Sequence, residues 1–219
     1  MLVELNGKAG KVCEYARQGV LRCPLIIRRT SEDQVTGEIF QTLRAINPRY
    51  WLSQLLNEAV GAHRFRQQVF RRLKIRLWER QPLFPRHLLP WNEGCSEIDA
   101  IVEFENPPTT IFIEMKYGAE LSRTTVGGRK QTDFPSDQLI RNIRVGLWRS
   151  GWIRERCLFS TEKRDFVVLL ISPDGGSELV RAYRDPGHVR ASLPCQKHLV
   201  GLHHTEFVGE ASYRQLVQI

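Results

Sequence analysis

Residues 166–171 read Phe-Val-Val-Leu-Leu-Ile, and Pro173-Asp174-Gly175-Gly176 closes the run two residues later. No longer uninterrupted apolar stretch occurs in the chain, and this one is far short of the roughly 20 residues of a membrane-spanning helix. A short run of that kind, rich in β-branched residues and stopped by turn formers, predicts a strand buried on both faces. Such a strand needs a covering layer on each side. Helical periodicity elsewhere supplies the layers, so the expected class is α/β, with a central mixed sheet flanked by helices.

The helical signals come first in the chain. Ser31-Glu32-Asp33-Gln34 has the capping-box form and opens an expected helix over 32–46, with Val35, Ile39, Leu43 and Ile46 on one face and Asn47-Pro48 at its end. A second helix is expected from Trp51 to Val60, stopping at Gly61. A third, arginine-rich one is expected through Phe65, Val69 and Leu73. From Lys74 the period changes to two, which predicts a strand ending at Pro82. Glu97 to Glu105 and Thr110 to Lys116 read as two strands of a hairpin turning at Asn106-Pro107-Pro108-Thr109. Residues 117–135 read as a long glycine-bearing loop, a length usually kept for function. Ser136 is the expected cap of a helix to about Arg149, with Leu139, Ile143 and Leu147 on its apolar face.

The hairpin carries the chemistry. Alternation puts Asp99, Ile101 and Glu103 on one face of the first strand, and Phe112, Glu114 and Lys116 on one face of the second. A turn centred between Asn106 and Pro107 sets Asp99 opposite Glu114; centred one residue later, it sets Asp99 opposite Lys116. Either register keeps all three on one face. Two carboxylates at cross-strand distance repel unless a cation lies between them. Hard carboxylate oxygens suit Mg²⁺ or Mn²⁺, with the backbone carbonyl of Met115 as a further oxygen ligand. Such an ion promotes phosphodiester hydrolysis, and a neighbouring lysine can orient water or offset charge on phosphorus.

Ile98-Asp99, followed fifteen residues later by Glu114-Met115-Lys116, resembles the signature of the PD-(D/E)XK nucleases, the restriction-endonuclease-like superfamily. The expected element order over residues 32–172 is similar to that superfamily's αβββαβ core. The resemblance implies a metal-dependent nuclease that cuts DNA, with RNA left open. It implies Asp99 and Glu114 as metal ligands and Lys116 as the residue assisting the attacking water. It further implies a metal-binding Glu38, from Thr36-Gly37-Glu38 on the first helix, and a catalytic Gln138 at the start of the helix after the E-x-K strand. Ile98 stands in place of the signature's Pro. Asn142 stands where exonuclease-like branches place a Tyr. The rival expectation is a catalytically inactive nucleic-acid-binding module on the same fold.

Charge agrees with a polyanionic partner: 32 Lys and Arg against 24 Asp and Glu leave a formal +8. Arg71 and Arg72, among the aromatics of 64–78, are candidates to track a phosphate backbone. Arg123, Arg129 and Lys130 in the glycine-bearing loop are candidates to clasp substrate, and Arg141 and Arg144 to extend that surface. Cys195, His198, His203 and His204 are chemically able to hold zinc, although their spacing fits no standard knuckle. The five scattered cysteines and the lack of an apolar leader in residues 1–23 point to a reduced, cytoplasmic setting. The expected organisation is an N-terminal extension (1–31), a nuclease-like core (32–172) and a strand-and-turn appendix of the same domain (173–219). A homodimer is the usual arrangement for cutting both strands of a duplex.

Overall fold

A computed structural model describes residues 32–117, 121, 134–154, 162–200 and 206–219. The chain runs α1 (Glu32–Ala45), a 3₁₀ turn at Pro48–Tyr50, α2 (Leu52–Val60), β1 (Arg71–Arg80), β2 (Glu97–Glu105), β3 (Thr109–Met115), α3 (Gln138–Arg149) and β4 (Asp165–Ser172). Two short helices follow, α4 (Glu178–Tyr183) and α5 (Pro186–Ala191), then β5 (Val208–Ser212) and α6 (Tyr213–Gln218). The five strands form one mixed sheet in sequence order. Pairing is antiparallel for β1–β2 and β2–β3, and parallel for β3–β4 and β4–β5. The class is α/β, as the apolar run of β4 predicts.

Strand alternation sorts the core into two layers. Ala100, Val102, Ile111, Ile113, Val167, Leu169 and Ile171 pack under Phe40 of α1 and Leu52, Leu55, Leu56 and Ala59 of α2. Ile101, Phe112, Phe166, Val168 and Leu170 pack under Leu139, Ile143 and Leu147 of α3 and under Val180, Tyr183 and Val189 of α4 and α5. Two glycines let the layers close. A Cβ on Gly146 of α3 would lie 2.0 Å from the Phe166 ring, and one on Gly209 of β5 would lie 2.5 Å from the Ala59 carbonyl oxygen.

Several local expectations are corrected. The buried face of α1 is Thr36, Gly37, Phe40 and Leu43, one residue round from the expected stripe, because the large Phe40 ring takes the core position. Ile46 lies beyond the helix and is 41% exposed. Residues 62–70 are not helical, and Arg71 already opens β1. Asn57 explains this locally: its side-chain amide donates to the Phe65 carbonyl and its oxygen accepts from the Phe65 amide, which holds the segment extended against α2. The cap of α3 is Asp137 rather than Ser136; its carboxylate accepts from the Ile140 amide. The described residues of 173–219 hold the short helices α4, α5 and α6 as well as the strand β5, which pairs with β4 in the main sheet. Among the described residues no helix is long and apolar enough to cross a membrane.

Candidate functional site

The site lies where the ladders end. The β2–β3 register runs from Phe104↔Thr109 to Ala100↔Ile113, which is the register of a turn centred between Asn106 and Pro107. The last rung falls one residue short of Asp99 and Glu114. On the other side of β2, Leu77 pairs with Ala100 and Glu79 with Ile98, while Trp78 between them adopts a left-handed φ of 51°. Asp99 therefore sits in a stretch where regular pairing lapses on both flanks. A non-glycine residue in that conformation is a distortion of the kind that clusters at functional sites.

Loss of the ladder frees Asp99 for another contact: its Oδ2 accepts from the Met115 backbone amide at 2.8 Å. Lys116, the next residue, still donates its own amide to Ile171 of β4. Successive residues of an extended strand present their backbone groups to opposite neighbours, so the Met115 carbonyl lies on the Asp99 side. The Lys116 side chain, largely covered, brings Nζ to 2.8 Å from Glu114 Oε1 and 3.5 Å from Glu32 Oε2. Glu114 is fully buried, and its Oε2 accepts from the Asn142 amide of α3 at 3.1 Å. Glu32 also accepts from the Tyr117 amide, and the Tyr213 hydroxyl donates to the Lys116 carbonyl at 2.7 Å.

The electrostatics follow from this packing. Burial first, and then the Asp99 charge, push the Glu114 carboxyl up to about 8, against the opposing pull of Lys116 and Asn142. Burial by itself would lower the Lys116 ammonium, but Glu114, Glu32 and Asp99 outweigh it and hold it above the ordinary lysine value. Lys116 is therefore cationic at neutral pH, and burial beside Asp99 makes Glu114 hard to ionise without further positive charge.

Of the residues singled out in the sequence, Asp99, Glu114, Met115 and Lys116 come together. Gln138 opens α3, one turn before Asn142, and is partly buried. Glu38 does not join them. It is exposed, accepts from Gln34 within α1, and lines an apolar groove between α1 and α6 with Ile39, Tyr50 and Leu216. Glu32, six residues earlier, takes the place beside Lys116. Glu32, Asn142 and Tyr213 are the members that sequence reasoning missed. The spacing of Asn142 from Gln138 was the only local signal for any of them.

The basic candidates separate further. Arg144 is wholly buried, ion-paired with Glu93 and stacked over Trp91, so it is not a phosphate contact; Arg141 is largely covered and also approaches Glu93. Arg71 and Arg72 are exposed but sit at the end of β1 that pairs with Glu105, about 20 Å along β2 from Asp99 at ~3.3 Å per residue. Arg123, Arg129 and Lys130 lie outside the described residues, as do His203 and His204. Cys195 is a core thiol, pushed up to about 11 by burial, and His198 is exposed. Among the described residues no group of three or more His, Cys, Asp or Glu side chains is placed to hold a metal. A cation at this site would thus draw on two carboxylates, Asp99 and Glu114, with the Met115 carbonyl. That donor set fits Mg²⁺, which takes one or two carboxylates and keeps water or phosphate oxygens for its other positions.

No known protein family, no curated protein and no solved structure matches this chain.

Proposed function

We propose that this protein is a metal-dependent nuclease with a restriction-endonuclease-like core, hydrolysing phosphodiester bonds of DNA. One observation supports this most: Asp99 of β2 and, fifteen and seventeen residues later, Glu114 and Lys116 meet at the end of β3 beside Glu32. The setting suits the reading. Over residues 32–172 two helices, three antiparallel strands, a helix and a parallel strand follow one another, which is compatible with the αβββαβ order that the resemblance implies, with α2 as an addition.

Asp99 and Glu114 would hold Mg²⁺ or Mn²⁺ with the Met115 carbonyl, and Glu32 replaces Glu38 as the acidic residue that α1 contributes. The ion supplies Lewis-acid stabilisation of charge developing on the phosphoryl oxygens. Lys116, kept protonated by its acidic neighbours, acts as an electrostatic and hydrogen-bonding group. It orients water and offsets phosphoryl charge rather than abstracting a proton. Asn142 restrains one Glu114 oxygen and so fixes the direction of the other. The excess of basic residues over the whole chain draws the polyanion to the protein.

The test incubates the protein with supercoiled plasmid and with single-stranded DNA, with Mg²⁺ or Mn²⁺ and with EDTA. The expected result is metal-dependent cleavage that Glu114→Ala and Lys116→Ala each reduce by about a hundredfold or more. Cleavage untouched by both substitutions refutes the assignment. Binding without cleavage by the wild type supports the inactive nucleic-acid-binding module instead.

A further inference from the structure

The C-terminal segment reaches the candidate site through one side chain. β5 runs parallel to β4 with Ser172 opposite Ser212, so the residue after Ser212 emerges level with the carboxyl ends of β3 and β4. That residue is Tyr213, the first of α6. Its backbone is fixed by a reciprocal cap in which the Ser212 hydroxyl accepts from the Gln215 amide and the Gln215 side chain accepts from the Ser212 amide. β3 and β5 are two strand spacings apart, about 10 Å. The tyrosine side chain crosses β4 to place its hydroxyl 2.7 Å from the Lys116 carbonyl oxygen, with its ring 6.0 Å from that of Tyr117.

Lys116 needs such a partner. Its amide makes the last bond from β3 to β4, and the backbone then leaves the sheet. Ile171 holds the Lys116 amide and Glu32 accepts from the Tyr117 amide that follows, and the phenol adds the hydrogen bond to the carbonyl between them. With it, the residue is held by Ile171 at its amide and Tyr213 at its carbonyl, and the ammonium is aimed between Glu114 and Glu32.

We infer that Tyr213 is a positioning residue for the phosphodiester chemistry proposed above, acting through the Lys116 backbone to hold the ammonium in line with the acidic pair. The inference rests on that reading of the site. It gives residues 206–219 a part in the reaction as well as in the sheet.

Tyr213→Phe removes the hydroxyl and keeps the ring, so the fold is retained; an unchanged melting profile checks this. Loss of one neutral hydrogen bond predicts a fall in kcat of about three- to tenfold with KM unchanged, since substrate binding does not involve the phenol. A second readout needs neither metal nor substrate: in metal-free protein the ¹³C resonance of the Lys116 carbonyl and the ¹⁵N resonance of its ammonium both shift in Tyr213→Phe. A wild-type protein that cleaves, together with a Tyr213→Phe protein of equal kcat, overturns the inference and leaves the nuclease reading standing. Unmoved Lys116 resonances also overturn it. A wild-type protein that does not cleave removes the reading on which it rests, and the wild-type control distinguishes that failure from the other two.

Discussion

A carboxylate shut away from solvent and faced by a second carboxylate has to find a cation or a proton. Glu114 is in that position, and Lys116 alone does not supply enough positive charge to bring its carboxyl back to the ordinary range. A sign follows for pH. The folded protein holds the Glu114 proton up to about 8, whereas the unfolded chain releases it near 4.5. Between those values the native state binds more protons, so this group's contribution to stability is present in acid and lost as pH rises through about 8. Metal-free wild type is therefore expected to lose stability across that window, and Glu114→Gln to lose less; parallel urea titrations check it. The stabilisation gained from added Mg²⁺ grows over the same window, because the ion binds the ionised carboxylate. A further comparison separates the two glutamates of α1. Glu32→Gln is expected to lower kcat about tenfold or more, and Glu38→Gln to leave it within about twofold, measured on the same plasmid. The sequence could not make that choice. Six residues place Glu32 and Glu38 about 120° apart round a helix, and only the docking of α1 on the sheet decides which one reaches Lys116.

The helices and strands were legible wherever their patterns were local. β4 reads directly from its apolar run, and α2 from its leucines and terminal glycine. The E-x-K strand reads from alternation. The segment 62–70 was not legible, because a pair of hydrogen bonds from Asn57 overrides the spacing of Phe65 and Val69. Arg144 misled for a similar reason: its partners Glu93 and Trp91 lie some fifty residues away, and no local pattern announces them. α3 illustrates how such distant contacts serve the site. Its cap, Asp137, also accepts a hydrogen bond from the Tyr183 hydroxyl of α4 at 2.6 Å, so the end of the helix carrying Gln138 and Asn142 is tied to the C-terminal layer. Asp137→Ala removes the cap and orphans the phenol. It is expected to cost about 1–3 kcal/mol in denaturant unfolding.

The molecule as a whole depends on its last fifty residues more than a reading of 173–219 as an appendix suggests. Phe166, Val168 and Leu170 of β4 share one buried layer with Val180, Tyr183, Val189, Leu193, Phe207 and Val208. β4 therefore has its second ladder partner, and part of the cover on its Phe166 face, only when β5, α4 and α5 are present. A chain ending at Ser172 is expected to expose that layer and show no cooperative unfolding transition, a result calorimetry detects directly. The positive charge of the whole chain predicts DNA binding that weakens steeply with salt, while the site geometry predicts that cleavage, not binding, depends on the acidic pair. The most direct measurement of that geometry requires no substrate. Mn²⁺ is titrated into metal-free protein and followed by electron paramagnetic resonance, for the wild type, Asp99→Asn and Glu114→Gln. One bound ion or more in the wild type, weakened at least about tenfold by each substitution, is the predicted result; equal Mn²⁺ binding in all three proteins, or none in the wild type, contradicts it.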